Sequence, residues 1–124
     1  MFELRKQFPF EAAHTLARAI DAAPSRRIHG HSYKAEITLA GEPDPKTGMI
    51  VDLGELERAL GAVRAQLDHQ FLNEVPGLGP ATLENLAAWI WRALQPGLPG
   101  LVRVTVLREA SGDSCSYGGP VRAR

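Results

Sequence analysis

Apolar residues recur at every second position in some segments of this chain and at steps of three and four in others. In the opening segment, FELRKQFPFEAAH, Phe2, Leu4, Phe8 and Phe10 share one parity, which predicts a strand with one buried face. Pro9 inside it predicts an edge or an irregularity, because proline has no amide proton to give a ladder. The polar, alanine-rich stretch from Thr15 to Arg27 contains Pro24 and little periodicity, so it reads as a loop. The second strand is clearer: Tyr33, Ala35, Ile37 and Leu39 alternate with Ser32, Lys34, Glu36 and Thr38. GEPDPKTG is turn chemistry, and a short apolar piece, MIV, then leads to Asp52.

Asp52 with Glu55 three residues on is a helix start of the capping-box type. Leu53, Leu56, Leu60, Val63 and Leu67 form one stripe behind it, with Gly61 off the stripe. After the breaker NEVPGLGP, Thr82 caps a second predicted helix with Leu83, Leu86, Ala87, Ile90 and Leu94 on one face. QPGLPG ends it. LVRVTVLRE is a third strand with Val102, Val104 and Val106 in register, and a short strand near Cys115–Tyr117 closes the chain. The order strand, strand, helix, helix, strand, strand predicts an α+β fold, two helices covering one face of an antiparallel sheet. Two helices leave sheet edges open, and oligomerisation is the simplest way to cover them.

At 124 residues the chain suits one domain, 1–124. Lys+Arg and Asp+Glu both number 14, so no basic field favours nucleic acid or an anionic membrane; an anion needs a local cluster such as Arg26-Arg27. The single cysteine, Cys115, excludes an internal disulfide framework and a multi-cysteine zinc site. No apolar secretory core follows Met1, and LAAWIW is far too short to span a bilayer, so a cytoplasmic protein is expected.

His29 and His31 flank Gly30 at the mouth of the second strand and leave the same face. An antiparallel neighbour would bring His14 opposite them. Three neutral imidazoles with a fourth position open describe a catalytic zinc site, whereas His-x-His alone is also common at strand mouths. Asp68-His69 would suit proton transfer or, more plainly, a helix end. Glu109 would be a solvated strand end, and Thr82 a helix cap. A cupin-like all-β metal barrel is disfavoured by the two amphipathic helices.

FPFEAAHTL, IHGHSYKAEI, DPKTGMIVDLGEL, LDHQFLN, ATLENLAAWIW and LRE occur in order across nearly the whole chain. Together they resemble the family of 6-pyruvoyl-tetrahydropterin and 6-carboxy-tetrahydropterin synthases. The spacing before His-Gly-His and the DPKTGMIVD turn look most like the bacterial enzyme of queuosine (deazapurine) biosynthesis. The resemblance implies a tunnelling fold: a four-stranded antiparallel sheet with two helices on one face. Three sheets close into a barrel, and two trimers usually stack into a hexamer. It implies zinc on His14, His29 and His31, active sites between subunits, and 7,8-dihydroneopterin triphosphate as substrate.

The resemblance further assigns proton relay to Asp68 and His69, the pterin anchor to Glu109, and a place in the pterin pocket to Thr82. A carboxylate suits the anchor because it accepts two parallel hydrogen bonds from the guanidine-like pterin edge. Arg26 or Arg27 is placed near the triphosphate from charge and position only. The implied reaction is a zinc-dependent lyase step, with carbon–carbon cleavage releasing acetaldehyde in the queuosine branch. Triphosphate elimination to 6-pyruvoyl-tetrahydropterin is the alternative. One position departs: members with this spacing carry cysteine where this chain has Ser25, and its thiolate accepts the proton. A serine hydroxyl is far less acidic and needs an adjacent base. Ser25 thus raises a further alternative, a zinc- and pterin-binding homologue with altered or lost catalysis.

Overall fold

The computed structural model describes residues 1–20 and 22–118. Its framework is the pairing of β1 (Phe2–His14) with β2 (His29–Gly41), antiparallel from Phe2 opposite Gly41 to His14 opposite His29. β4 (Leu101–Arg108) pairs antiparallel with β2, and β5 (Asp113–Tyr117) with β4. A fifth strand, β3 (Gln70–Phe71), lies parallel to Ala12–Ala13 of β1, giving the order β3-β1-β2-β4-β5. The sequence predicts four strands. The fifth has two residues, too few to carry an alternation that could be read.

β3 touches β1 only at its end, so most of β1 is an edge, and Pro9 lies on that stretch. Its carbonyl accepts a hydrogen bond from Arg64 Nε at 2.7 Å. One face of the sheet, carrying Phe8, Phe10, Tyr33, Ala35, Ile37, Leu39, Val104 and Val106, is buried under α2 (Leu53–Leu67) and α3 (Leu83–Leu94). Each fully buried aliphatic side chain there, such as Leu56, Leu86 or Ile90, contributes about 1.5–3 kcal/mol. Asp52 caps α2 by accepting from Gly54 N–H (2.7 Å), and Thr82 caps α3 by accepting from Asn85 N–H (3.1 Å).

Several positions differ from the sequence reading. Leu53 is 57% exposed, because α2 meets the sheet only from its second turn. Phe2 is also exposed, at the outer end of β1. Val102 is out of register with Val104 and Val106. Leu39 faces Leu101 while Thr38 faces Arg103, so Val102 is the extra residue of a β-bulge and turns outward. The expected loop before His29 contains a short helix, α1 (Ala22–Arg26). Among the described residues no helix is long and apolar enough to cross a membrane.

Candidate active site

The β1–β2 register ends on His14 opposite His29, and His31 is opposite Ala12, two residues further in. All three histidines share the parity of the core residues and leave the helix-covered side of the sheet. Their rings pack edge to face, with centroids 4.6–4.9 Å apart. One ligand atom from each lies within 4.8 Å of the others. Gly30 between them brings no side chain to the opposite face.

The outer nitrogens of two rings are already committed. His14 Nδ1–H donates to the Ala81 carbonyl (2.8 Å) and His29 Nδ1–H to the Arg27 carbonyl (2.7 Å). A carbonyl only accepts, so each neutral ring carries its proton on Nδ1 and leaves the Nε2 lone pair free. His14 Nε2 and His31 Nε2 face each other at 3.0 Å. Burial, foremost, holds His14 below its ordinary range, and burial followed by the Arg108 charge pushes His31 down to about 4. The His14 and His31 rings are thus neutral at pH 7. Arg108 Nη1, which can only donate, lies 3.2 Å from His31 Nε2, so that nitrogen too presents its lone pair, and three converging nitrogen donors match the ligand set of a metal centre with an open position.

Local contacts fix this cluster. Thr15, after His14, is tied to Asn73, whose Oδ1 accepts from Thr15 N–H (2.9 Å) and whose Nδ2 donates to the Thr15 carbonyl (3.2 Å). Ala81 belongs to the entry of α3, so the helix cap at Thr82 and the orientation of His14 share one stretch of backbone. A cavity of about 210 Å³ opens here, lined by His14, Tyr33, Thr82, Glu84, Arg18 and Arg108 among others. The Tyr33 hydroxyl is buried and finds no partner among the described residues, and burial pushes its pKa up to about 12, so it remains a hydroxyl donor.

Asp68 and His69 end α2 at the β3 edge. Asp68 accepts from Glu11 N–H (2.9 Å) through Oδ1, and from His69 Nδ1 (2.9 Å) and Arg64 (3.1 Å) through Oδ2. His69 lines a second hollow, about 380 Å³, with Glu11, Gly30, His31 and Ser32. Glu109 lies on the other side of the sheet, where Lys34 Nζ donates to its Oε1 at 2.7 Å. Ser25 is 7% exposed in α1, and its carbonyl accepts from Leu16 N–H (2.8 Å). Arg26 and Arg27 are exposed. The structure therefore brings together His14, His29, His31 and Thr82, puts His69 in a hollow that it shares with His31, with Asp68 behind it, and leaves Glu109 in a separate hollow. The sequence reading passes over Arg108, the neighbour of Glu109. Its signal was parity: Val104, Val106 and Arg108 fall on one face, which puts a charge at a core-facing position.

Residues 3–120 match the family model for 6-pyruvoyl tetrahydropterin synthase. The 6-carboxy-5,6,7,8-tetrahydropterin synthase of Synechocystis sp. is 38% identical over 117 residues, covering 90% of this chain and 89% of the relative. The 6-pyruvoyl tetrahydrobiopterin synthase of Homo sapiens is 38% identical over 96 residues, covering 73% of this chain and 66% of its own length. The structure of Caenorhabditis elegans 6-pyruvoyl tetrahydropterin synthase aligns with a TM-score of 0.82 over 96% of both chains at 24% identity, a likeness of fold. The α+β tunnelling fold expected from the resemblance is the fold observed. With family model and sequence identity in agreement over most of its length, the chain belongs to the 6-pyruvoyl tetrahydropterin synthase family.

Proposed function

We propose that the chain is a zinc-dependent lyase acting on 7,8-dihydroneopterin triphosphate, of the 6-carboxy-tetrahydropterin synthase type that serves queuosine biosynthesis. The observation that carries this reading is the convergence of the His14, His29 and His31 lone pairs on one point beside a cavity. Identity to the Synechocystis enzyme over nine tenths of the chain favours the 6-carboxy product. A zinc ion held there would polarise a side-chain oxygen of the substrate. Thr82 and Tyr33 line the cavity and would position the pterin side chain. Asp68 holds the His69 ring by its Nδ1, which leaves the other ring nitrogen to take or give a proton. Glu109 would anchor the pterin edge, and Arg27 would meet the triphosphate. Because Glu109 and the histidines leave opposite sides of the sheet, this reading needs a second copy of the chain to complete each site. Such a homo-oligomer, a trimer or a dimer of trimers in the cytoplasm, suits the open sheet edges.

Ser25 favours a second reading, a homologue that binds zinc and pterin with altered or lost turnover. Incubation with 7,8-dihydroneopterin triphosphate and mass spectrometry of the products separates the readings. The lyase reading expects 6-carboxy-tetrahydropterin and acetaldehyde; 6-pyruvoyl-tetrahydropterin would place the chain with the human enzyme, and binding without product would favour lost turnover. Replacing Ser25 by cysteine restores an ionisable group, and general-base catalysis is worth ~10²–10⁴-fold. Turnover of Ser25→Cys should rise by that order with zinc content unchanged, and an unchanged rate would place Ser25 outside the chemistry. His29→Ala should lose zinc by elemental analysis.

A further inference from the structure

Arg108 ends β4 on the side of the sheet that carries the histidines. Its Nη1 lies 3.2 Å from His31 Nε2, so the guanidinium donates to the lone pair that His31 would offer a metal. Its Nη2 donates to Asp113 Oδ2 (2.9 Å) across the β4–β5 hairpin, and that carboxylate oxygen also accepts from Ser111 Oγ (2.8 Å). The hairpin thus clamps one edge of the fork. The Nε–H is buried and has no partner among the described residues. Once His31 Nε2 turns its lone pair to a metal, Nη1 loses its acceptor as well. Nη1, a donor of one cation, would then face a second cation without an acceptor. An oxygen anion that fills the open metal position relieves this, because it accepts from Nη1 and puts negative charge between the two cations. Arg18 lines the same cavity and adds positive charge, against the single carboxylate of Glu84.

We propose that Arg108 is an anion-binding residue of the metal-loaded site, donating to a negatively charged oxygen of whatever ligand occupies the open metal position. In the family's lyase chemistry such an oxygen is one on which negative charge develops in the substrate side chain. The inference rests on the reading of His14, His29 and His31 as a metal site, and deepens it by naming the residue that selects an anionic ligand oxygen.

Cobalt(II) makes the test visible. The cobalt-loaded protein, with Arg108→Gln, Arg108→Lys and Asp113→Asn variants, is titrated with acetohydroxamate, which binds metals through an anionic oxygen, and with imidazole, a neutral ligand. The cobalt absorption bands report occupancy of the open position, independent of turnover. A hydrogen bond to a charged group predicts that Arg108→Gln weakens acetohydroxamate by about 10–100-fold. Imidazole affinity should stay within about twofold, Arg108→Lys should recover part of the loss, and Asp113→Asn should fall between. Equal losses for both ligands, or none for acetohydroxamate, overturn the role of Arg108 while leaving the metal site standing. Cobalt bands that are absent in the parent, or unchanged in His29→Ala, overturn the metal reading and this inference with it.

Discussion

His69 adopts a left-handed backbone, φ 60°, the only described residue other than glycine with positive φ. Such a conformation costs a residue with a Cβ of the order of 1–2 kcal/mol. It turns the chain from α2 into β3 and sets the ring against Asp68. If the turn alone were needed, glycine would serve better. We therefore expect His69→Gly to be more stable than His69→Ala by about 1 kcal/mol in urea denaturation, while both lose turnover. Activity surviving in the glycine variant would return His69 to a purely structural turn. Asp68 adds a pH signature. The Glu11 amide above all, then His69 and Arg64, holds its carboxyl below the ordinary value of 3.8. A carboxylate depressed in the folded state contributes stability that is present above its unfolded pKa and is lost as pH falls through the folded one. Urea midpoints should thus fall more steeply below pH ~4 in the parent than in Asp68→Asn, and parallel curves would remove Asp68 from the acid limb.

At the scale of elements, the strands and helices that carry the triad were legible because each buries one face against a partner of matching period. Tyr33 to Ile37 alternate without a break before Thr38, which is also buried, and Leu86 to Leu94 hold a helical stripe. The sequence signals failed where tertiary contact outweighs local pattern. The bulge at Val102 depends on how Leu101 pairs with Leu39, and β3 exists only because Ala12–Ala13 lie beside it. The His-Gly-His pair was visible as spacing. The lone-pair geometry was not, because it depends on the Ala81 and Arg27 carbonyls, 67 and two residues away along the chain. The Ala81 contact gives α3 a testable duty. Thr82→Ala removes the cap and should cost ~1 kcal/mol of stability, with Thr82→Ser retaining most of it. Since the cap and the His14 acceptor are adjacent, Thr82→Ala should also weaken zinc affinity, measured by competition with a chelating dye. A variant that loses stability and keeps zinc affinity would uncouple helix entry from the metal centre.

At the scale of the whole molecule, one face of the sheet carries no helix among the described residues, and that face is charged. Glu3, Arg5, Lys34, Glu36, Arg103 and Glu109 lie there, linked by Arg5–Glu3 (2.7 Å), Arg103–Glu3 (3.6 Å) and Lys34–Glu109 (2.7 Å). Such a surface is poor material for face-to-face packing of two sheets, which needs apolar layers. It suits a wall whose edges are paired and whose face looks onto water. The edges are available: β5 bounds one side, and among the described residues β1 from Phe2 to Phe8 has no strand beyond it on the other, the edge further on being held by Arg64 at Pro9 and by Asp68 and His69 at Glu11. Unpaired edge amides of this length invite another strand, and joining β5 of one copy to β1 of the next would close a ring with the charged face inside. The same closure would bring Glu109 of one copy toward groups of another, which the pterin site needs in the reading above. We therefore expect light scattering at micromolar concentration to give a multiple of the 13.5 kDa chain mass. Hydrogen exchange should show amides in both β5 and Phe2–Phe8 more protected at high than at low protein concentration. A 13.5 kDa particle whose edge amides exchange freely at all concentrations would leave each chain with half a pterin site. Oligomers without protection at these two edges would mean that the copies meet elsewhere.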